Sequence, residues 1–227
     1  MTALSFLQSQ SRNAPREIAR ASIGACLGIL LTGLVSSWWF GSPVAAPLLI
    51  APMGASAVLL FGLPASPLAQ PHAIIGGNLL AALIGVSIAK LVPFPLPAAA
   101  LAVAAAIAAM VACRCAHPPS GAVALTAVLG GPHILAAGFG FVFVPVLLES
   151  VLLTLAALVY NNATQRSYPH RAHPAPHPGE IAMPVRLAAN DFEAVIADYG
   201  EPLDIGAEDL EALFDMLVDR AQKIGRR

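Results

Sequence analysis

The sequence predicts an all-α, polytopic helical membrane protein, and its composition carries that prediction. The chain is 57% hydrophobic and only 11% charged, with a mean hydropathy of +0.74. Between residues 21 and 160 it has just three formal charges, Lys90, Arg114 and Glu149. A soluble domain of this size has about a quarter of its residues charged, so this stretch has too few charges to cover a water-exposed surface.

Four apolar runs are long enough to cross a bilayer as helices, which takes about 20 residues each. They cover residues 18–39, 73–92, 96–112 and 134–160. The first run follows several arginines, but it is long and lacks a clear small-residue cleavage site. We therefore interpret it as a membrane helix anchored by Trp38 and Trp39, and not as a signal peptide.

Two shorter, proline-led segments, 44–62 and 120–130, predict helices that either cross the membrane or re-enter it. When Gly54 is set over Gly121, "APMGASAVLLFG" aligns with "PPSGAVALTAVL", and the prolines and alanines around the two glycines match. Each segment is followed by a Pro-His pair and another apolar helix. This shared order predicts an internal duplication.

The duplication leaves two topologies open. If both short segments cross, the chain has six spans in two inverted halves; if both are re-entrant, it has four spans in two parallel halves. Both topologies put the termini on one side. The N-terminal arginines, with Arg166 and Arg171, place that side in the cytoplasm, so we expect a multi-pass protein of the cell inner (plasma) membrane.

Broken helices in corresponding positions of two halves often form a substrate site near the membrane midplane. A helix start presents unsatisfied N–H groups and partial positive charge, which favour an anion. We therefore predict a substrate path made of the residues at the two starts and polar residues near them. The predicted residues are Met53, Gly54, Ala55, Ser56, Asn78, Arg114, His117, Ser120, Gly121 and Ala122.

Each of these residues also has a plainer interpretation. The glycines and alanines can simply permit close helix packing. Arg114 is costly in an apolar region unless it lines water, a pair or a site, or extends to the interface. Glu149 can pair with Arg114 or Lys90, or titrate during proton-coupled transport.

The ends of the chain differ in composition from its middle. We predict an N-terminal cytoplasmic segment (1–16), a transmembrane domain (17–162), a Pro/His-rich linker (163–190) and a cytoplasmic amphipathic, acidic helix region (191–227). His170, His173 and His177 in the linker lie between prolines, and Cys113 and Cys115 form an isolated pair. We expect no metal site and no cofactor.

Several motifs together resemble the HPP family of integral membrane proteins. "AHPPSGAVALTAVLGG" contains the His117-Pro118-Pro119 signature, and "APMGASAVLLFG", "SPLAQPHAIIGGNLLAALIGV" and "YNNATQRSYP" are similar to other family blocks, over roughly residues 15–169. His72 departs from the basic or polar residue expected after "SPLAQP". The resemblance implies a compact helical membrane domain with four spanning helices.

The resemblance also implies transport, with nitrite as the leading substrate, because members from photosynthetic organisms are associated with nitrite transport. Many bacterial members carry cytosolic CBS domains; here we expect none, and no nucleotide regulation in cis. The prediction is therefore a transporter or channel for a small inorganic anion, embedded in the lipid bilayer, forming a homo-oligomer and binding no nucleic acid. A membrane-anchored scaffold or sensor acting through the C-terminal helix is the alternative. No enzyme motif appears, and we expect no catalytic residues.

Overall fold

The structure, a computed structural model, describes residues 15–39 and 49–170, and Phe214 beyond them. The chain divides into two compact units, Met1–His170 and Arg171–Arg227. The description below concerns the first unit. Predictions for the N-terminal 14 residues, for residues 40–48, for His173 and His177, and for the amphipathic helix lie outside the described residues.

The described part of the first unit is all-α and contains no strand. Its helices are α1 Pro15–Trp39, α2 Pro52–Ala57, α3 Pro71–Leu91, α4 Pro95–Ala112, α5 Ser120–Leu129, α6 Pro132–Ala137 and α7 Leu148–Ala163. A π-helical turn, Val58–Gly62, continues α2, and another, Val142–Leu147, precedes α7. A short 3₁₀ turn, Pro67–Ala69, leads into α3.

Four of these helical segments are long and apolar enough to cross a membrane, as the sequence predicts. They are Pro15–Trp38, Pro71–Leu91, Pro95–Ala112 and Val142–Ala163. At 1.5 Å per residue, a helix of about 20 residues spans the roughly 30 Å hydrocarbon core. Large apolar side chains such as Leu34, Leu101 and Leu155 are exposed on the outside of the bundle, as expected of surfaces that face lipid.

The prediction of one continuous helix over residues 134–160 is wrong. α6 ends at Ala137, and Gly138 follows with a positive φ of 52°, a conformation that glycine adopts without a Cβ penalty. A second break lies at Val144, whose φ of −138° and ψ of 117° are non-helical. Pro145 follows directly and has no N–H for the helix ladder, which explains an interruption at this point.

Glycines set how closely α1 approaches α7 and the end of the α2 segment. A Cβ added to Gly24 would lie 2.5 Å from a ring carbon of Tyr160, and one added to Gly28 would lie 2.7 Å from the ring of Phe61. The rings of Phe61 and Tyr160 pack edge to face with centroids 5.8 Å apart. In a membrane, small residues let helices gain van der Waals contact in this way.

The same device brings α3 against α5 and the connection that precedes it. A Cβ on Gly77 would lie 2.9 Å from the Cys115 carbonyl oxygen and 2.9 Å from Ser120 Oγ. About two turns further along α3, a Cβ on Gly85 would lie 2.7 Å from the Cβ of Ala127. α5 therefore runs parallel to α3. The first residue of α5 lies level with Gly77, about two turns after the start of α3.

Polar contacts show which helix ends lie together. Arg20, near the start of α1, bonds to the Phe61 carbonyl and to Asn161 near the end of α7. Tyr168, just after α7, donates to the Ala69 carbonyl just before α3. We call this the terminal end. The far end is marked by Lys90, at the end of α3, whose ammonium lies 5.8 Å from the centroid of the Phe139 ring.

The helices thus alternate in direction. α1, α3 and α5 run away from the terminal end, whereas α2, α4 and α7 run towards it. Of the two topologies that the sequence leaves open, this is the order with six segments in two inverted halves. Each half has a long helix, a short helix and a second long helix, and α2 and α5 are antiparallel.

Candidate functional site

Six polar side chains are completely enclosed where the two short helices meet α3 and α7. Their relative exposures are all 0%, which is unusual for polar residues unless they are hydrogen-bonded. They are Ser56, Asn78, His117, Ser120, Glu149 and Ser150. We call them the polar cluster, and four of them belong to the substrate path that the sequence predicts.

A chain of hydrogen bonds crosses three helices through Asn78. Ser120 Oγ donates to Asn78 Oδ1 at 2.7 Å, and Asn78 Nδ2 donates to Ser150 Oγ at 2.9 Å. Ser150 in turn donates to the Val146 carbonyl at 2.7 Å, within the turn that leads into α7. The close approach at Gly77 places Ser120 beside Asn78, so the polar chain depends on that glycine.

His117 connects the two short helices and is neutral. Its Nδ1 lies 2.8 Å from the Leu68 carbonyl oxygen, which can only accept, so Nδ1 carries the hydrogen. Nε2 then accepts from Ser56 Oγ at 2.8 Å. His117 lies between α4 and α5, outside the four long spans, and burial lowers its pKa from 6.5 to about 4. It contributes a bridge between α2 and α5, and no positive charge at neutral pH.

Glu149 lies at the start of α7 with one of its two oxygens bonded. Oε2 accepts the backbone N–H of Ile50 at 3.1 Å, just before α2. Oε1 is buried and has no hydrogen-bond partner. The pairing with Arg114 or Lys90 that the sequence allows is not found, since the ion pairs within the described residues involve Glu17, Arg20 and Arg166.

The starts of the two short helices are less open to an anion than the sequence suggests. At α5, the N–H groups of Ser120, Gly121 and Ala122 donate to the carbonyls three residues earlier, at 2.9, 3.1 and 3.0 Å. At α2, Met53 and Gly54 donate to Ile50 and Ala51 in the same way, each at 3.0 Å. An anion at either start would have to compete with these turns. The side chains of the polar cluster are therefore the better candidate ligands.

Gly54 and Gly121, at these starts, do not serve close packing against the described residues. A Cβ on Gly54 or on Gly121 would meet no atom within 4 Å. Ala55 and Ala122 are exposed, whereas Met53 is buried in the core. Close packing therefore explains Gly77 and Gly85, and it leaves Gly54 and Gly121 unexplained.

Gly121 borders a half-open apolar groove of about 380 Å³ between α4 and α5. The groove is lined by Val103, Ile107, Met110, Val111, Ala116, His117, Pro118 and Gly121. Its lining offers few polar groups, so it suits an apolar chain better than an inorganic ion.

The two cations of the membrane region lie at opposite ends and outside the cluster. Arg114 is exposed at the terminal end, next to Cys115, and has a positive φ of 54°. Lys90 lies over Phe139 at the far end. Arg114 is therefore a surface cation at the terminal end, and no described contact joins it to the polar cluster.

Sequence reasoning missed a second polar group, at the terminal end. Glu17 pairs with both Arg20 and Arg166, and Arg20 Nη1 donates to Asn161 Oδ1 at 2.9 Å. Arg20 Nη2 and Asn161 Nδ2 also donate to the Phe61 and Leu60 carbonyls, at the end of the α2 segment. The Asn-Asn pair directly after the last apolar run was the available signal. This group joins α1, α2 and α7 and fixes the C-terminal end of the α2 segment.

The fold and the buried cluster define an integral, polytopic helical membrane protein. The family model for the HPP transmembrane region matches residues 10–169. This chain therefore belongs to the HPP transmembrane family, as its motifs predict.

Two similar proteins come from Dictyostelium discoideum, and both are named as transmembrane proteins. One is 44% identical over 126 residues, covering 53% of this chain and 44% of that protein. The other is 40% identical over 126 residues, covering 53% of this chain and 40% of that protein. The matched region is thus less than half the length of either relative. No solved structure matches the chain at a significant level.

Proposed function

We propose that this protein is a transporter or channel for a small inorganic anion, with nitrite as the favoured substrate. The observation that carries the proposal is the meeting of two antiparallel short helices inside the bundle, beside fully buried polar side chains. Inverted halves with discontinuous helices commonly build their substrate sites at such a junction. The preference for nitrite rests on the family resemblance.

Neutral hydrogen-bond donors favour an anion over a cation in the cluster. The hydroxyls of Ser56 and Ser120 can rotate, and the Asn78 amide is itself a donor. A desolvated anion needs such donors to replace water. We propose that Ser56, Asn78, His117 and Ser120 bind the anion, and that Arg114 raises its local concentration at the terminal end.

The charge distribution supports an orientation with the terminal end in the cytoplasm. Arg16, Arg20, Arg114 and Arg166 lie at or near this end, against Lys90 at the far end. On the basis of the positive-inside rule, we propose that the arginine-rich end faces the cytoplasm and that the protein lies in the cell inner membrane. Labelling of an engineered cysteine in the 92–94 connection from outside intact cells tests this orientation. Labelling there only after permeabilisation contradicts it.

Uptake into liposomes tests the function directly. The purified full-length chain is reconstituted, and entry of nitrite is compared with entry of nitrate, formate and chloride. We expect saturable nitrite uptake that exceeds uptake of the other three anions. Folded protein that moves none of these anions contradicts the proposed function, and preference for another anion contradicts the choice of nitrite. The detergent-corrected mass of the same preparation tests whether it is a homo-oligomer.

A further inference from the structure

In the part of the chain that the structure describes, three buried side-chain oxygens of the membrane helices have no hydrogen-bond partner. They are Glu149 Oε1, Thr32 Oγ1 and Ser36 Oγ. The three residues have relative exposures of 0%, 0% and 1%. A buried polar atom without a partner is costly, and such atoms in native proteins usually need a specific explanation.

The register of α1 against α7 indicates how Thr32 and Glu149 lie along the bundle. A Cβ on Gly24 would lie against the Tyr160 ring, and one turn further along α1, a Cβ on Gly28 would lie 3.3 Å from Leu153 Cδ1. Thr32 comes one turn after Gly28, and Glu149 comes one turn before Leu153, so we infer that the two residues lie at about the same level of the antiparallel pair. Their unpartnered oxygens are not hydrogen-bonded to each other.

No side-chain cation balances Glu149 among the described residues of the elements packed around it. On α1, Glu17 and Arg20 belong to the ion group at the terminal end. On α3, Lys90 lies over Phe139 at the far end and His72 lies at the helix start. Before α5, His117 is neutral between Ser56 and Leu68. On α7 itself, Tyr160 donates to the Arg20 carbonyl.

An ionised carboxylate with a single neutral hydrogen bond is unfavourable inside a membrane. A positive charge must therefore come from outside the protein side chains whenever Glu149 is enclosed. A proton is the smallest such charge. Once bound at Oε1, it makes that atom a donor, for which the Thr32 hydroxyl is at the right level to accept.

We propose that Glu149 is the proton-coupling site of this protein, and that Thr32 positions the protonated carboxyl group. This inference rests on the proposed anion transport and deepens it. Glu149 is the direct neighbour of Ser150, whose hydroxyl accepts from Asn78 in the polar cluster. An anion in the cluster therefore favours protonation of Glu149, and protonation favours anion binding to the same extent.

The step is a simple proton transfer. A proton from water on one side forms an O–H bond at Glu149 Oε1 and neutralises the carboxylate while the anion occupies the cluster. On the other side, the O–H bond breaks, the proton returns to water and the carboxylate re-forms. Anion and proton cross together, and no net charge is moved.

Two measurements on the reconstituted full-length chain test this proposal. The first is infrared difference spectroscopy of the protein in vesicles without substrate, which detects the carbonyl stretch of a protonated carboxyl group. We expect a band that appears reversibly as the pH is lowered and is lost in Glu149→Gln. The glutamine can still accept the Ile50 N–H but cannot titrate.

The second measurement is nitrite uptake with an imposed proton gradient or sodium gradient. In the unmodified chain, we expect accumulation against the nitrite gradient when the proton gradient is directed inward. Glu149→Gln should lose this accumulation and still equilibrate nitrite. Thr32→Val should shift the pH dependence of the infrared band. Thr154→Val is the matched control, because Thr154 bonds only within its own helix and should leave both readouts unchanged.

The outcomes separate this proposal from the proposed function. A titrating Glu149 band without any anion flux supports the proton site and overturns the proposed transport. Flux that ignores the proton gradient, or is driven by sodium, overturns the coupling. A Glu149 band that does not change with pH, or accumulation that persists in Glu149→Gln, also overturns it.

Discussion

The two short helices begin with similar sequences but are held in opposite ways. α5 is fixed at its start, where Ser120 bonds to Asn78 and the preceding His117 bonds to Leu68. α2 is fixed at its end, where Arg20 and Asn161 bind the carbonyls of Phe61 and Leu60. At the start of α2, the backbone of Ile50 meets a carboxylate whose second oxygen is unpaired.

This difference separates the buried polar atoms that are hydrogen-bonded from those that are not. The α5 side of the cluster satisfies its buried polar atoms internally, which makes it a stable framework. The unpartnered carboxylate oxygen of Glu149 lies beside the start of α2, because the other oxygen of the same group accepts the Ile50 N–H. The start of α5 therefore holds neutral donors that are bonded internally, whereas the start of α2 meets Glu149 of α7, the one acid between residues 21 and 160.

The largest effect is expected where the framework is tightest, at Gly77. Gly77→Ala places a Cβ within 2.9 Å of Cys115, His117 and Ser120 and should lower the free energy of unfolding by about 1–3 kcal/mol. Gly54→Ala, whose Cβ meets nothing, is the control and should be neutral or slightly stabilising. Thermal unfolding in detergent measures both, and equal effects would contradict the contrast between the two helix starts.

Removal of the amide at the centre of the framework should have the next largest effect. Asn78→Ala leaves Ser120 and Ser150 without their shared partner and should destabilise the protein by about 1–3 kcal/mol. Ser87→Ala is a control on the same helix, because Ser87 is only partly buried and its hydroxyl donates to the Leu83 carbonyl one turn earlier. Chemical denaturation measures the difference, and an Asn78 variant as stable as the Ser87 variant would refute the role of the network.

The bridge between the short helices should respond to pH. Because burial lowers the pKa of His117 from 6.5 to about 4, the unfolded chain binds this proton more readily than the folded one. The contribution of His117 is then fully present above pH 6.5 and is lost as the pH falls towards about 4. His117→Gln should show a shallower fall in stability over this range. Identical pH profiles for the two proteins would show that His117 is not held neutral.

The smallest effect concerns the cation outside the cluster. Arg114 is exposed and has no ion pair among the described residues, so Arg114→Ala should leave the fold intact and reduce only the rate of anion entry at low salt. Lys90→Ala, at the far end, is the comparison. An Arg114→Ala variant that loses all uptake while remaining folded would assign Arg114 to the site itself.

The long helices could be predicted from the sequence because their apolar length is a local property. The involvement of Asn78 in a helix contact could also be predicted, because a polar residue beside two glycines indicates that another helix packs closely there. The partners of Glu149 could not be predicted from the sequence, because they depend on the direction of each helix and on the register of α1 against α7. The breaks at Gly138 and Val144 lie inside an apolar run whose hydropathy shows no interruption, although Gly138 and Pro145 were sequence signals for them.

The roles of Gly54 and Gly121 show a similar limit. Their sequence context suggested close packing or a substrate path, and only the surrounding atoms exclude close packing against the described residues. Conversely, the Gly76-Gly77 pair indicated a close contact, but only the structure shows that Gly77 meets Cys115, His117 and Ser120. Spacing along one helix does not determine which face meets a neighbour.

The central claim is that the buried hydroxyls and amide between the short helices bind the transported anion. Nitrite uptake by Ser120→Ala, compared with Thr126→Ala on the same helix, tests it most directly, because the Thr126 hydroxyl bonds only to Ala122 one turn earlier. We expect folded Ser120→Ala to lose most nitrite uptake and Thr126→Ala to retain it. Equal uptake by the two variants, or no uptake by the folded unmodified protein, would contradict the claim.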